Sequence, residues 1–378
     1  MIWLSLVGFF VSAIAAAGVV RWARDHAAHY GEEMPQRFHL GHVPRLGGFA
    51  VLLGVTFSWL LGAAQSMWGD PGSLRLDGGL VLWWLAVVLP SALGGIAEDM
   101  TQRLRVSYRL FLTGLSGSVA VWGLGLNLPR LGLPWLDALL AIAPWLGLAI
   151  VLLAVTGLPH AFNIIDGYNG LAGMVALIVC LALAHVALQV GDRAMAALLV
   201  STAAATAGCL VWNYPRGMLF AGDGGAYIWG VVIALASISL VQRNAEVSPW
   251  FPMLLLIYPV WETIFSIYRK AVRGVSPGVA DALHFHQLIY RRIVRGVFHD
   301  DESRRVLMRN NRTSPYLWGF TLLTVVPAVL FWNNTWLLMG FCCLFVISYV
   351  SAYLAIVRFK VPSWLRHWKC FPGAPLVI

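Results

Sequence analysis

Charge is what this chain has least of. Lys, Arg, Asp and Glu make up only 11% of its 378 residues, against 59% hydrophobic ones, whereas a soluble domain of this length carries about twice that charged fraction. A large water-soluble fold is thereby excluded. Cysteine is scarce too. Of the five, Cys180, Cys209, Cys342 and Cys343 fall within apolar runs and Cys370 lies near the end; none has metal-site spacing, which argues against a zinc site or a disulfide framework. Internal repeats and low-complexity tracts are missing, and so is any polar stretch long enough for a separate soluble domain. The first apolar run has no basic flank before it and no small-residue cleavage site after it, so it reads as a retained span rather than a signal peptide. Acidic residues number 17 against 26 basic ones, for a net charge of +9. In so apolar a chain that excess reflects orientation and attraction to anionic lipid, and no nucleic-acid partner is expected.

What the chain has in quantity is apolar length. Eleven runs of about 17 to 22 residues match the hydrocarbon thickness of a bilayer: 4–20, 47–64, 80–96, 110–126, 138–155, 171–190, 194–212, 226–241, 250–267, 316–332 and 336–357. They lack the alternation of barrel strands, and a backbone in lipid must satisfy its own hydrogen bonds, so helices are expected. The predicted fold is an all-α polytopic integral membrane bundle of about eleven transmembrane helices. Sorting Lys and Arg by alternate connections puts 22 of the 26 in one set. The positive-inside rule makes that set cytoplasmic, with the N-terminus periplasmic and the C-terminus cytoplasmic.

The cytoplasmic connections also carry nearly every unusual polar residue. Residues 160–170, His-Ala-Phe-Asn-Ile-Ile-Asp-Gly-Tyr-Asn-Gly, form a polar island between two apolar runs. Asn163, Asp166 and Asn169 offer oxygen ligands for a hard cation, and Gly167, Gly170 and Gly173 let backbone N–H groups approach an anion. At the entry to the second run stand Arg45, just before it, and Gly47 and Gly48, its first residues, either a phosphate cradle or an interfacial turn. The third run ends in Glu98 and Asp99, with Arg103 and Arg105 beyond. That pair either orients a charged ligand or is a solvated helix end in which Arg103 meets Asp99. Asp223, between Gly222 and Gly224, is a candidate magnesium ligand or an N-cap, with the N–H groups after it a possible phosphate cradle. The ninth connection holds Asp281, His284, His286, Gln287, Arg291, Arg292 and Arg295. The histidines and Arg291 suit a pyrophosphate, while Arg292 and Arg295 read as lipid-headgroup contacts. Inside the runs, His185 is read as a helix-contact residue, and Glu262 as pairing across the bundle and steering a basic group.

These motifs together resemble the polyprenyl-phosphate N-acetylhexosamine-1-phosphate transferases, the superfamily that includes the phospho-N-acetylmuramoyl-pentapeptide transferase. The resemblance covers roughly residues 39–292 and rests on Pro44-Arg-Leu-Gly-Gly48, Glu98-Asp99, Asn163-Ile-Ile-Asp-Gly-Tyr-Asn169, Gly222-Asp-Gly224 and Asp281-Ala-Leu-His-Phe-His286. It implies a single transmembrane transferase domain over 1–378, with the histidines in loop 269–315 and a basic cytoplasmic tail at 358–378. It implies a multi-pass protein of the bacterial inner membrane that moves a sugar 1-phosphate from a UDP-sugar to undecaprenyl phosphate and releases UMP. Such a step initiates a surface polysaccharide such as an O-antigen. The cofactor implied is Mg²⁺, with Mn²⁺ able to replace it, and the partners are the UDP-sugar, undecaprenyl phosphate, membrane lipid and a second copy in a homodimer.

Residue by residue, the resemblance makes Asp223 the main metal ligand and Asn163 the second. Asp166 and Asn169 shape the nucleotide and metal pocket, with Asp166 counted among the catalytic carboxylates beside Asp99 and Glu98. Asp99 handles the lipid phosphate as base or as positioner. Arg45, Gly48, Gly224, Asp281, His284, His286 and Arg291 contact substrate. The chain departs from the family pattern at Glu98, His160, Ala282 and Gln287, which points to altered substrate contacts. The rival readings are the pentapeptide transferase, a transporter of an anionic solute, and a lipid-binding homologue without activity. The transporter would need midplane charges and a paired repeat.

Overall fold

The computed structural model describes residues 1–23, 43–68, 76–276, 283–294 and 296–358. Among them the chain is helical, in the order α1 (Ile2–Trp22), α2 (Gly47–Trp68), α3 (Gly78–Thr101), α4 (Val106–Leu124), α5 (Pro134–Ile142), α6 (Pro144–Ile165), α7 (Leu171–Gln189), α8 (Arg193–Asn213), α9 (Gly222–Arg243), α10 (Trp250–Leu255), α11 (Ile257–Val272), α12 (Phe285–Leu288) with a π turn at Ile289–Ile293, α13 (Glu302–Leu330) and α14 (Thr335–Val357). Short polar side chains start several of them by accepting orphan N–H groups of the first turn. Asp77 caps α3 through the Leu80 N–H at 2.7 Å, Asp192 caps α8 through Met195, and Asn334 caps α14 through Leu337.

Nine of these helices are long and apolar enough to cross a membrane, by length and composition, against the eleven spans expected. The fourth and ninth runs fall short and the fifth is shifted, each for a local reason. The fifth run was placed at 138–155, but Pro144 pushes Ala143 out of helical geometry (φ −125°, ψ 71°), closing α5 at Ile142 and opening α6. The span then continues to Ile165. His160 and Asn163 therefore stand on the last turns of a helix, not in a loop. The ninth run breaks at Leu256 into α10 and α11, because Pro259 has no N–H to give the Leu255 carbonyl. The fourth, α4, has 19 residues but carries Arg109 in its first turn.

Helix α9 is the centre of the bundle: every residue from Gly222 to Val241 is buried, walled by α2, α3, α6 and α7. Its sequence could pass for any transmembrane span. Enclosure on all sides is a tertiary fact, made possible where glycines let backbones meet. A Cβ on Gly48 would run into the Gly224–Gly225 backbone, and one on Gly95 into Asp223, the small-residue contacts typical of membrane helix packing. Around the perimeter, large apolar side chains face outward, among them Phe10, Trp122, Leu153, Leu323 and Ile347, as lipid contact requires. His185, expected between helices, is instead exposed and bonded only to Gln189, one turn on, at 3.4 Å.

The start of α2, the end of α3, the end of α6, the start of α7 and the start of α9 all meet at one end of the bundle. Residues 44–48 pair with 220–221 through backbone bonds from Phe220 to Pro44, Gly47 to Phe220 and Gly48 to Ala221. This end gathers the polar residues singled out above.

Candidate active site

The site is organised around the first turn of α9. A helix start leaves N–H groups without intrahelical partners and carries a positive partial charge. Here two carboxylates from other helices occupy it. Asp99, at the end of α3, accepts the Asp223 N–H at 2.9 Å with one oxygen and the Gly224 N–H at 2.8 Å with the other. Asp166, just past α6, sets its carboxylate beside the Gly222 N–H. Gly222 sits at φ +71°, and a Cβ there would collide with the Arg45 carbonyl and both Asp99 oxygens.

This arrangement revises three expectations. The N–H groups after Asp223 do not form an open phosphate cradle, because Gly224 donates to Asp99 and Gly225 to the Ala221 carbonyl. Gly47 and Gly48 likewise donate to Phe220 and Ala221 at 2.8 Å each, so their role here is close packing. Asp99 is buried (3% exposed) and does not simply pair with Arg103. The Glu98 carboxylate accepts the Leu104 N–H at 2.8 Å, closing the turn after α3, and its charge also acts on Arg109.

Asp223 itself is buried, and its side chain meets two cations. Arg109 Nη1 lies 2.8 Å from Oδ2, and Arg45 Nη2 lies 3.9 Å from Oδ1. Arg45 was singled out in the sequence, whereas Arg109 drew attention only for orientation. An arginine in the first turn of an apolar helix was the signal for it. The Tyr227 hydroxyl, one turn along α9, lies beside both Arg109 and Asn163. Its neighbour His160 bridges Tyr227 and Thr113 at 3.3 Å each. At His160 the chain thus has an imidazole built into the wall.

The Asp166 carboxyl is pushed up to about 7, first by crowding that strips it of water and then by the charge of Asp223, against the opposing pull of Arg45 and the Gly222 N–H. Beyond it the island is fastened to α13. The Asn169 N–H donates to Asn310 at 2.8 Å, its Nδ2 to Asn311 at 2.8 Å, and its carbonyl accepts from Ser314 at 2.6 Å. With 1% of its surface exposed, Asn169 anchors the island from inside and does not line an open pocket. Asn213 does the same from α8, accepting the Gly170 N–H at 2.5 Å and donating to the Leu219 carbonyl. Sequence reasoning missed Asn213, Asn310 and Asn311; polar residues at span ends are common, and only the fold shows what they touch.

The histidine motif reaches the same place. His286 packs against Gly167 and meets Tyr168 edge to face at 5.6 Å. Tyr168 in turn stacks on Tyr290, which lies under the Arg309 guanidinium. Burial holds the Tyr168 phenol far above its ordinary range, although Arg291 and Arg309 pull the other way. His284 stacks parallel to His286 at 5.3 Å and bonds Glu262, so Glu262 does pair across the bundle. Asp281 lies outside the described residues. The expected residues Arg45, Gly48, Asp99, Asp166, Asp223 and Gly224 are therefore one cluster, with Asn163, His284 and His286 joined to it through Tyr227 and Gly167. Arg291 lies near its Tyr168 edge.

No three His, Cys, Asp or Glu side chains among the described residues form a closed metal site. The donor set nevertheless fits a cation that brings its own water and phosphate ligands. It offers hard oxygens from Asp223, Asp166 and Asn163, with the Asp166 carboxyl raised partly by the neighbouring Asp223. Magnesium binds in that manner, through one or two carboxylates plus phosphate oxygens.

Residues 81–241, α3 through most of α9, match the family described as glycosyl transferase family 4. Over 298 residues the chain is 25% identical to a probable undecaprenyl-phosphate N-acetylglucosaminyl 1-phosphate transferase of Bacillus subtilis (strain 168), covering 78% of each chain. It is 27% identical over 258 residues to the undecaprenyl-phosphate alpha-N-acetylglucosaminyl 1-phosphate transferase of Yersinia pestis, 67% of each. A third relative, the decaprenyl-phosphate N-acetylglucosaminephosphotransferase of Mycolicibacterium smegmatis, is 27% identical over 318 residues, 75% of this chain and 74% of that one. The family match and these relatives together support the polyprenyl-phosphate N-acetylhexosamine-1-phosphate transferases, a family of membrane enzymes, as the family of this chain.

Proposed function

We propose that this protein transfers a sugar 1-phosphate, of N-acetylhexosamine type, from a UDP-sugar to undecaprenyl phosphate at the cytoplasmic face of the bacterial inner membrane, releasing UMP. The product is the lipid-linked first sugar of a surface polysaccharide. The observation that carries this reading is the single cluster of Asp223, Asp166, Arg45 and Arg109 at one end of an otherwise apolar bundle. A site at that boundary lets a soluble nucleotide sugar meet a lipid whose tail stays in the bilayer.

The chemistry asks little covalent help from the protein. An oxygen of the lipid phosphate attacks the β-phosphorus, and UMP leaves in line. A phosphomonoester has a second pKa of about 6, so most of the nucleophile is already dianionic at neutral pH. The barrier lies in bringing anions together, and positioning with electrostatic stabilisation lowers it. Magnesium held by Asp223, Asn163 and Asp166 would supply part of the countercharge. Arg45 and Arg109 face the same carboxylate and can swing to phosphoryl oxygens, offering forked donors. His284 and His286 contribute imidazole donors beside Gly167. Asp99 holds the first turn of α9, and with it Asp223, in place.

The test is release of UMP by purified protein given undecaprenyl phosphate, Mg²⁺ and a panel of UDP-sugars. Release should require both substrates and the metal, and Asp223→Asn should abolish it while leaving the protein folded in the membrane. Normal turnover by Asp223→Asn would refute the metal assignment, and no release with any UDP-sugar would refute the donor class.

A further inference from the structure

Glu262 is the most enclosed acidic group among the described residues: its exposure is 0%, in the middle of α11. A carboxylate in an apolar bundle is costly unless donors surround it. Three do. Oε1 accepts the backbone N–H of Phe285 at 3.1 Å and lies 2.9 Å from His284 Nδ1, while Oε2 accepts the Tyr349 hydroxyl at 2.5 Å. None of these partners is near Glu262 in sequence, and they come from two further segments, the histidine motif and α14.

The arrangement fixes the state of one histidine. Oε1 already receives the Phe285 amide, so it acts as an acceptor towards His284 as well, and the Nδ1 of that ring carries the proton. Nε2 is then the atom left to accept a proton or a donor. The two imidazoles lie parallel, 6° apart at 5.3 Å, a poor arrangement for two cations. Of the two rings, His284 is the one bonded to Glu262, while His286 packs on Gly167 beside Asp166 and interacts with the Glu262 charge without that bond.

We propose that Glu262 is a positioning residue for the histidine pair. It holds His284 as the Nδ1–H form beside its own negative charge and sets the orientation in which the stacked rings meet the phosphates of the nucleotide substrate. This rests on the transferase reading given above. Among the described residues, the groups around the Glu262–His284 pair are Tyr258 from α11, Tyr349 from α14 and His286 from the histidine motif, with Arg269 and Arg309 at the edges of the surrounding aromatic cluster.

Two measurements on the full-length protein in detergent or nanodiscs test this. The first is the ¹⁵N spectrum of histidine-labelled protein, with His284→Gln as the assignment control. Wild type should show His284 protonated at Nδ1, and Glu262→Gln should lose that signature, since an amide can turn a donor towards the ring. The second is steady-state UMP release. Removing a group that orients a ligand-binding histidine typically costs about 10–100-fold, so Glu262→Gln should lower kcat/KM by that much. Tyr349→Phe leaves the His284 contact intact and should lose less than about threefold on the same scale. If Glu262→Gln does not accumulate, Glu262→Asp, which withdraws the same charge by one methylene, should give the same spectral loss in a folded protein. An unchanged His284 signature in the variant that folds, or full turnover by Glu262→Gln, overturns the proposal. Absence of UMP release by wild type would sink the transferase reading, while the spectra would still decide the link between Glu262 and His284.

Discussion

Replacing Asp99 by Asn separates two roles for the carboxylate at the end of α3. In the structure both its oxygens accept N–H groups from the first turn of α9. A hydrogen bond to a charged acceptor is worth about 1.5–3 kcal/mol. Asparagine can accept one of the two and turns an NH₂ towards the other. One bond is lost, and a buried N–H is left unmatched at a further cost of about 1–3 kcal/mol. A penalty of about 3 kcal/mol relieved by shifting the first turn would displace Asp223, and at about 1.4 kcal/mol per factor of ten it lowers kcat/KM about 100-fold. The deficit should be the same at every pH, because no proton transfer is involved. The assay is UMP release from about pH 6.5 to about pH 9, across the range where the lipid phosphate, with a second pKa of about 6, completes its ionisation. If Asp99 instead removes a proton from that phosphate, Asp99→Asn should recover towards wild type as pH rises. Such recovery would refute the capping argument.

Three further outcomes follow from the same geometry. Gly222→Ala places a side chain at φ +71° against the Arg45 carbonyl and the Asp99 oxygens. The left-handed backbone alone costs about 1–2 kcal/mol, so thermal stability in detergent and UMP release should both fall. Asn213→Ala removes the acceptor of the Gly170 N–H and the donor to the Leu219 carbonyl. It should lower unfolding stability by about 2–4 kcal/mol, read from the unfolding midpoint, and an unchanged midpoint would deny that Asn213 fastens the island. The Asp166 carboxyl is raised to about 7 in the folded protein, above an unfolded value of about 3.9. Its contribution to stability is therefore full below the unfolded value and is lost as pH rises through about 7. Asp166→Asn should flatten the fall in melting temperature over that window, and added Mg²⁺ should flatten it in wild type. A slope unchanged by the substitution would show that Asp166 does not titrate there.

The sequence by itself determined the solvent and the kind of chemistry. Apolar runs of bilayer length can form only helices there, so the helical membrane fold was legible, and so were the residue types at the span ends that suit a cation and phosphates. Proline effects moved the boundaries: Pro144 and Pro259 act through single backbone groups that a hydropathy window averages away. Tertiary structure alone decided what each polar residue does. Asp99 and Asp223 are 124 residues apart, and nothing near either one says that the first caps the helix carrying the second. Asn169 looked like a ligand and is an anchor, while Arg109 looked like an orientation signal and holds the central carboxylate. Glu262 was marked by its burial cost, yet only packing made His284 its partner. A charged or amide group has no fixed role in sequence, because its role is set by the donors and acceptors that the fold brings within about 3 Å of it.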